Sequence, residues 1–342
     1  MKNQEVVEYY PQLDFFKFIA AILVITIHTQ LFCDIDEVIY CYYGKIITSC
    51  AVPFFFVLSG YFYGKEYQQG RLSGYKCGRL IKKYLKMYLF WGGGVYAILL
   101  TIRKIGSGNA PFNVLRNQIV DFAIGSPGNV MWYIGVMLFI SLLLKLIIDF
   151  DKNIYKAMAV WFVISVLLFV FSVLWDYVPT QTILGKAKII YDNVITSERI
   201  VLFRSHYFVL GFLFGMNPNQ KIKCIKMRFG MIVFTLAVVS DLVKLQVVSE
   251  VLWAVWCGFV SLFLMKVGCE GKKHMNLGSF QYGKMSTPIY FIHYLTIFAF
   301  EMLSRFLHRN FGNLLETVIC ILATLLTSAI VCKLPKLYKF LF

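Results

Sequence analysis

The sequence predicts an all-α fold, a polytopic bundle of membrane helices with both termini in the cytoplasm. Three observations carry this. Of the 342 residues, 59% are hydrophobic and 15% charged, the balance of a chain that buries its apolar surface in lipid rather than in one soluble core. Apolar stretches of about twenty residues, enough to cross roughly 30 Å of hydrocarbon, recur along the chain. Lysine and arginine concentrate in alternate connecting segments, as they do where short cytoplasmic loops hold the excess of basic charge.

About ten transmembrane helices follow in order. Residues 13–32 form the first, behind a short polar tail at 1–12. No small-residue cleavage site follows that apolar run, so it reads as a retained signal anchor. Spans two to five cover 45–64, interrupted by Pro53, then 84–102, 130–148 and 156–175. Spans at 200–216, 229–247, 250–267, 285–304 and 313–332 complete the set, and 333–342 is a cytoplasmic tail. The stretches 103–129 and 176–199 read as loops of marginal size for folding alone, so 1–342 is expected to be a single membrane domain.

Charge sets the orientation. The segment between spans two and three holds Lys65, Arg71, Lys76, Arg79, Lys82, Lys83 and Lys86. Later cytoplasmic segments hold Lys221, Lys223, Lys226 and Arg228, then Lys266, Lys272 and Lys273, and finally Lys333, Lys336 and Lys339. The first outer loop instead carries Asp34, Asp36 and Glu37. A net charge of +16 is therefore accounted for by topology and attraction to anionic lipid, and calls for no nucleic acid. The nine cysteines are scattered, odd in number and without C-x-x-C spacing, which argues against a metal site; Cys33 and Cys41 could pair in the first outer loop.

Polar groups within the spans are the candidate chemistry. In "DFFKFIAAILVITIH" (14–28), Lys17 and His28 are nearly eclipsed at 100° per residue and lie about 16 Å apart along the axis, with Asp14 one turn before Lys17. Asp14 and Lys17 suit a snorkelling interfacial ion pair. His28 lies deeper, where an ionisable side chain is costly unless it faces a bundle interior or a wet cavity; it is either functional or hydrogen-bonded to a neighbouring helix. Ser59-Gly60 permits close helix approach, as do Gly211 and Gly215 in "RSHYFVLGFLFG", which opens with Arg204 and His206. Ser286 and His293 share one face of span nine, with Glu301 two turns further out. Arg79, Lys82, Lys83 and Lys86 recur at helical spacing and could hold a phosphate-rich ligand at the membrane face.

Taken in order, D-x-x-K-x10-H on the first span, "VPFFFVLSGYFYG" on the second, R-x-x-K-K-x-x-K leading into the third, "MWYIGVMLF" on the fourth, R-x6-G-x3-G on the sixth and S-x3-Y-x2-H on the ninth resemble the integral-membrane acyltransferase family 3. The resemblance runs from about residue 10 to 300. The chain is also similar to the membrane half of the vancomycin-resistance serine racemases, without a racemase domain before it ends at 342.

The resemblance implies a ten-helix acyltransferase that moves an acyl group, usually acetyl, from cytosolic acyl-CoA (acetyl-CoA) to a hydroxyl of a cell-surface polysaccharide or lipid-linked sugar in a prokaryotic cytoplasmic (inner) membrane, with N-acylation of an amino sugar equally compatible with the motifs. His28 matches the family's essential histidine and would be the general base. Lys17 stands where arginine is usual, keeping the charge but not the bidentate fork. Arg79, Lys82 and Lys86 match the basic cluster associated with the coenzyme, and Lys83 lies among them. Trp132 matches the aromatic motif of span four, although Asn129-Val130-Met131 precedes it where a histidine is common. Arg204, Ser59 and His293 are candidates for positioning or for steadying an oxyanion; Trp132, Tyr133, Tyr290 and Glu301 are the candidates for substrate binding. The expected partners are acyl-CoA, a glycan or lipid-linked sugar acceptor and membrane lipids. Two other readings stand beside this one. A transporter for an amino acid such as serine would need no coenzyme cluster and would tend to paired broken helices, of which the sequence shows no symmetry. A packing partner in a glycan-assembly complex would leave His28 dispensable.

Overall fold

The computed structural model describes residues 10–123, 132–150, 153–194, 204–217, 226–270 and 282–342. Among these residues the structure is helical throughout, without strands. Seven helical segments are long and apolar enough to cross a membrane: 11–28, 37–68, 74–106, 132–150, 154–175, 246–270 and 313–333. The protein is thus a polytopic helical membrane protein. Of the remaining expected spans, the sixth is the ten-residue helix His206–Gly215, with 200–203 outside the described residues, and the seventh is Met227–Leu242, only 16 residues. The ninth, Tyr282–Phe306, has the length, but Ser286, Thr287, His293 and Thr296 dilute its apolar character.

The helices are α1 (Pro11–His28), α2 (Glu37–Ile46), α3 (Ala51–Gln68), α4 (Gly74–Met87), α5 (Ala97–Gly106), α6 (Pro111–Ala123), α7 (Trp132–Phe150) and α8 (Ile154–Asp176). They continue as α9 (Ile183–Val194), α10 (His206–Gly215), α11 (Met227–Leu242), α12 (Gln246–Glu270), α13 (Tyr282–Phe306), α14 (Asn313–Lys333) and α15 (Pro335–Leu341). The stretches read as loops therefore contain helices, α6 and α9. Asp36 opens α2 by accepting the Ile39 amide at 2.8 Å, so the acidic outer loop is shorter than expected. Pro53 lies in the first turn of α3, where its missing N–H costs little, and the break expected at this proline is instead the 3₁₀ turn Thr48–Cys50 before it. Cys33 and Cys41 are free thiols.

The chain forms two compact units. The first comprises the described residues of 1–55, 224–230 and 256–340. Its centre is α1 on α13 on α14. Phe15 and Phe18 meet Tyr282 edge-on, and His28 meets His293 further along, so α1 and α13 run parallel. α14 runs antiparallel to both: Thr317 pairs with Thr29 at 2.6 Å near its start, Thr324 with Thr296 at 2.7 Å, and the Cys332 carbonyl with Lys284 Nζ at 2.9 Å near its end. These hydroxyl and amine ties fix a register that apolar contact in lipid leaves loose.

The second unit comprises the described residues of 56–223, 231–255 and 341–342. Here α4 packs on α7 and α10 on α8. α3 and α10 approach backbone to backbone. A methyl group would overlap the Phe208 carbonyl at Gly60, that of Phe212 at Gly64, that of Val57 at Gly211 and that of Tyr61 at Gly215. Both small-residue faces read from the sequence are therefore one reciprocal contact. α4 continues into a π-helical stretch, Tyr88–Tyr96, and then α5; the Gly92-Gly93-Gly94 run lies in that wide turn.

Candidate functional site

In the first unit α1 ends at His28, four residues earlier than the apolar run suggests. The cause is backbone conformation: Gln30 and Phe32 have φ of 51° and 74°, a region unfavourable for L-residues. The turn is held from α14, where the Asn313 side chain donates to the Gln30 carbonyl at 3.0 Å and the Asn313 amide donates to Asp34 at 2.8 Å. His28 is therefore presented at a helix end, half-buried, rather than mid-span.

His28 stands against His293, ring centroids 5.2 Å apart and planes tilted 32°. Tyr294 meets His28 edge-on at 5.9 Å. His293 is fully buried, and its Nδ1 lies 2.7 Å from the Tyr290 carbonyl and 3.3 Å from that of Ile289. A carbonyl oxygen can only accept, so Nδ1 carries the proton and Nε2 bears the lone pair in the neutral ring. That Nε2 is buried and makes no hydrogen bond among the described residues. The site thus holds an imidazole in a fixed tautomer beside a second, more accessible one.

Pro288 shapes the helix that carries His293. It cannot donate to the Lys284 carbonyl one turn back. That carbonyl instead accepts from Cys332 Sγ at 3.7 Å and Tyr338 Oη at 3.4 Å. Burial pushes the Tyr338 phenol above its usual pKa, which keeps it a donor. At the start of α1, Lys17 pairs with Asp14 at 2.5 Å, as expected. The Asp14 carboxylate rests where Gly283 has no side chain; a methyl group there would overlap it. Ser286 donates back to the Gly283 carbonyl at 3.0 Å, which makes it a helix-internal group. Glu301 is half-buried two turns beyond His293.

The second unit gathers the other candidates. Arg204 lies over the Trp132 ring, 5.7 Å from its centre, and Phe56 packs on both Trp132 and Tyr133. Ser59 and Tyr133 share a 3.2 Å hydroxyl contact. The turn bearing Arg204 is anchored because Trp161 Nε1 donates to Ser205 Oγ at 3.1 Å. Asn129-Val130-Met131 lies outside the described residues.

Of the basic candidates on α4, Arg79 and Lys82 line a cavity of about 310 Å³ together with Gly74, Tyr75, Gly78, Lys145 and Asp149, whereas Lys83 and Lys86 do not line it. Arg79 lies over the Tyr75 ring at 5.2 Å, and Lys145 pairs with Asp149. Lys145 was not legible as a site residue: it sits in an apolar run of α7 and reads as a snorkelling side chain. What brings it to Arg79 and Lys82 is the packing of α7 on α4, and Gly74 admits Asp149 where a side chain would collide. The structure therefore places Asp14, Lys17, His28, Tyr290, His293 and Glu301 in one unit. Ser59, Arg79, Lys82, Lys83, Lys86, Trp132, Tyr133 and Arg204 fall in the other.

The described residues thus hold a histidine pair in one unit and a pocket lined by Arg79, Lys82 and Lys145 in the other. The chain belongs to the acyltransferase 3 family, whose profile, described as an acyltransferase domain, matches residues 10–333. It is also similar to an amino-acid racemase from Enterococcus faecalis, 28% identical over 221 residues, which cover 62% of this chain and 29% of that protein. The chain thus aligns with less than a third of that relative's length. No solved structure matches it.

Proposed function

We propose that this protein is an O-acetyltransferase of the prokaryotic cytoplasmic membrane, taking acetyl from acetyl-CoA and placing it on a hydroxyl of a cell-surface polysaccharide or its lipid-linked precursor. The single observation that carries the reading is the His28–His293 pair, 5.2 Å between ring centres, with the His293 tautomer held by the Tyr290 carbonyl. His28, half-buried at a helix end, is the base that meets substrate; His293 is the buried partner that positions it. The acceptor hydroxyl gives its proton to the neutral imidazole while its oxygen attacks the thioester carbonyl carbon. Collapse of the tetrahedral adduct breaks the C–S bond, and the departing coenzyme sulfur takes the proton back as a thiol.

Arg79, Lys82 and Lys145 supply cations for the coenzyme phosphates in a pocket from which Gly74 and Gly78 withhold side chains. The Trp132 face under Arg204, with the Ser59 and Tyr133 hydroxyls beside it, offers the mixed aromatic and polar surface that a sugar ring needs. Asp14–Lys17 seats α1 on α13 and positions His28 from a distance.

The test uses purified full-length protein in nanodiscs, acetyl-labelled acetyl-CoA and envelope glycan as acceptor. Wild type should bind the coenzyme, release free CoA and label the glycan; His28→Ala should bind but not transfer. A folded wild-type protein that neither binds acetyl-CoA nor releases CoA would overturn the reading.

A further inference from the structure

A second cavity, about 850 Å³, runs along the α4–π–α5 segment of the second unit. Lys82 and Lys86 stand at one end, and Leu89, Phe90, Gly94 and Ile98 line it onward. The two lysines are one helical turn apart on the same face, spaced to share one phosphate. At an α-helical rise of 1.5 Å per residue Lys82 and Ile98 would lie about 24 Å apart; the wider π-helical Tyr88–Tyr96 shortens this, yet the segment still outruns the roughly 15 Å of one hydrocarbon leaflet. Gly94 gives the trough depth: a methyl group there would meet only the Leu89 carbonyl, at 3.8 Å.

We infer that this trough is a binding site for an anionic phospholipid, with its phosphate between Lys82 and Lys86 and an acyl chain along Leu89, Phe90, Gly94 and Ile98. Charge complementarity selects the headgroup. The walls select the chain, because beyond Lys86 no lining side chain donates or accepts a hydrogen bond. The two amides of a pantetheine arm would lose their water there without compensation, whereas hydrocarbon loses nothing. The coenzyme pocket on the Arg79 and Lys145 side shares Lys82 with this trough, so lipid and coenzyme each hold one flank of the same helix. The lipid assignment does not depend on the acetyl-transfer reading.

The experiment titrates full-length protein in detergent with fluorescent phosphatidylglycerol, with phosphatidylcholine and acetyl-CoA as separate arms. Phosphatidylglycerol should bind at least tenfold more tightly than phosphatidylcholine, and the combined Lys82→Ala and Lys86→Ala variant should erase that preference, at roughly fivefold per lysine. Gly94→Leu fills the trough without touching the lysines; it should weaken both lipids and leave acetyl-CoA binding at the wild-type level. Equal affinity of wild type for the two lipids would overturn the proposal, as would unchanged phosphatidylglycerol binding by folded Gly94→Leu. Should Gly94→Leu not fold, the lysine variant and the preference of the wild type decide the matter alone. Folded wild type that shows the lipid preference but binds no acetyl-CoA would overturn the coenzyme assignment and leave the lipid site standing.

Discussion

Replacing Gly60 by alanine puts the contact between α3 and α10 to a quantitative test. The added methyl would overlap the Phe208 carbonyl oxygen and crowd the Phe212 amide, both backbone groups that cannot rotate away. Restoring ordinary contact requires the helices to part by about 1 Å or more, given an optimal separation near 3.5 Å. Overpacking of this kind costs about 1–3 kcal/mol. Against it stands the helix-propensity gain of alanine over glycine, about 0.5–1 kcal/mol. The net expectation is a destabilisation of about 1–2 kcal/mol. Gly44→Ala is the internal control, since nothing lies within 4 Å of a methyl there; it should stabilise by about 0.5–1 kcal/mol. Both are read by reversible unfolding in mixed micelles of increasing dodecyl sulfate content. Activity adds a second reading, because Ser59 neighbours Gly60 and Arg204 precedes α10. A displacement near 1 Å there should lower transfer up to about a hundredfold. If Gly60→Ala and Gly44→Ala shift stability by the same amount and sign, the backbone contact is wrong.

His28→Ala should lower kcat by about 10²–10⁴ with acetyl-CoA affinity unchanged, and the His28→Ala, His293→Ala double variant should be no worse than the poorer single one if the pair acts as a unit. Labelled-acetyl transfer and coenzyme titration on the same preparations check this. Lys145→Ala should weaken acetyl-CoA binding about as much as Arg79→Ala, and both should flatten its salt dependence; calorimetry at low and high salt separates this from a packing defect. Gly283→Ala should displace the Asp14 carboxylate, destabilise by about 1–3 kcal/mol and lower transfer without changing coenzyme affinity, measured by unfolding and by the two assays above.

Much of this architecture is legible in the sequence because lipid demands long apolar helices and leaves little choice of element. The D-x-x-K pair and the Gly211/Gly215 face were readable as well, since helical spacing alone places those groups together. The turn after His28 was not: Gln30 and Phe32 adopt positive φ in a turn tied to Asn313, nearly 300 residues on, through the Gln30 carbonyl and the Asp34 carboxylate. Neither was the π stretch, where Gly92-Gly93-Gly94 looks like ordinary apolar span. Lys145 escaped because its meaning lies in the packing of α7 on α4, which no local pattern encodes. The residues missed are those whose partners are remote in the chain.

The lysine at position 17, where the family resemblance leads one to expect arginine, makes sense in this setting. A guanidinium fork would seek both oxygens of a carboxylate, but the Asp14 carboxylate is already pressed into the gap left by Gly283. A point-charge ammonium satisfied by one oxygen, at 2.5 Å, fits that constraint. The pair then seats the start of α1 on the start of α13, while the strained turn after His28 fixes the other end of α1 through α14. Because α1 and α13 run parallel, these two anchors together determine how deep His28 lies against His293. A histidine at a helix end would ordinarily fray. Here it is held from both directions by contacts whose cost, a positive-φ turn and an obligatory glycine, is easier to understand if the spacing of the two imidazoles is what they maintain.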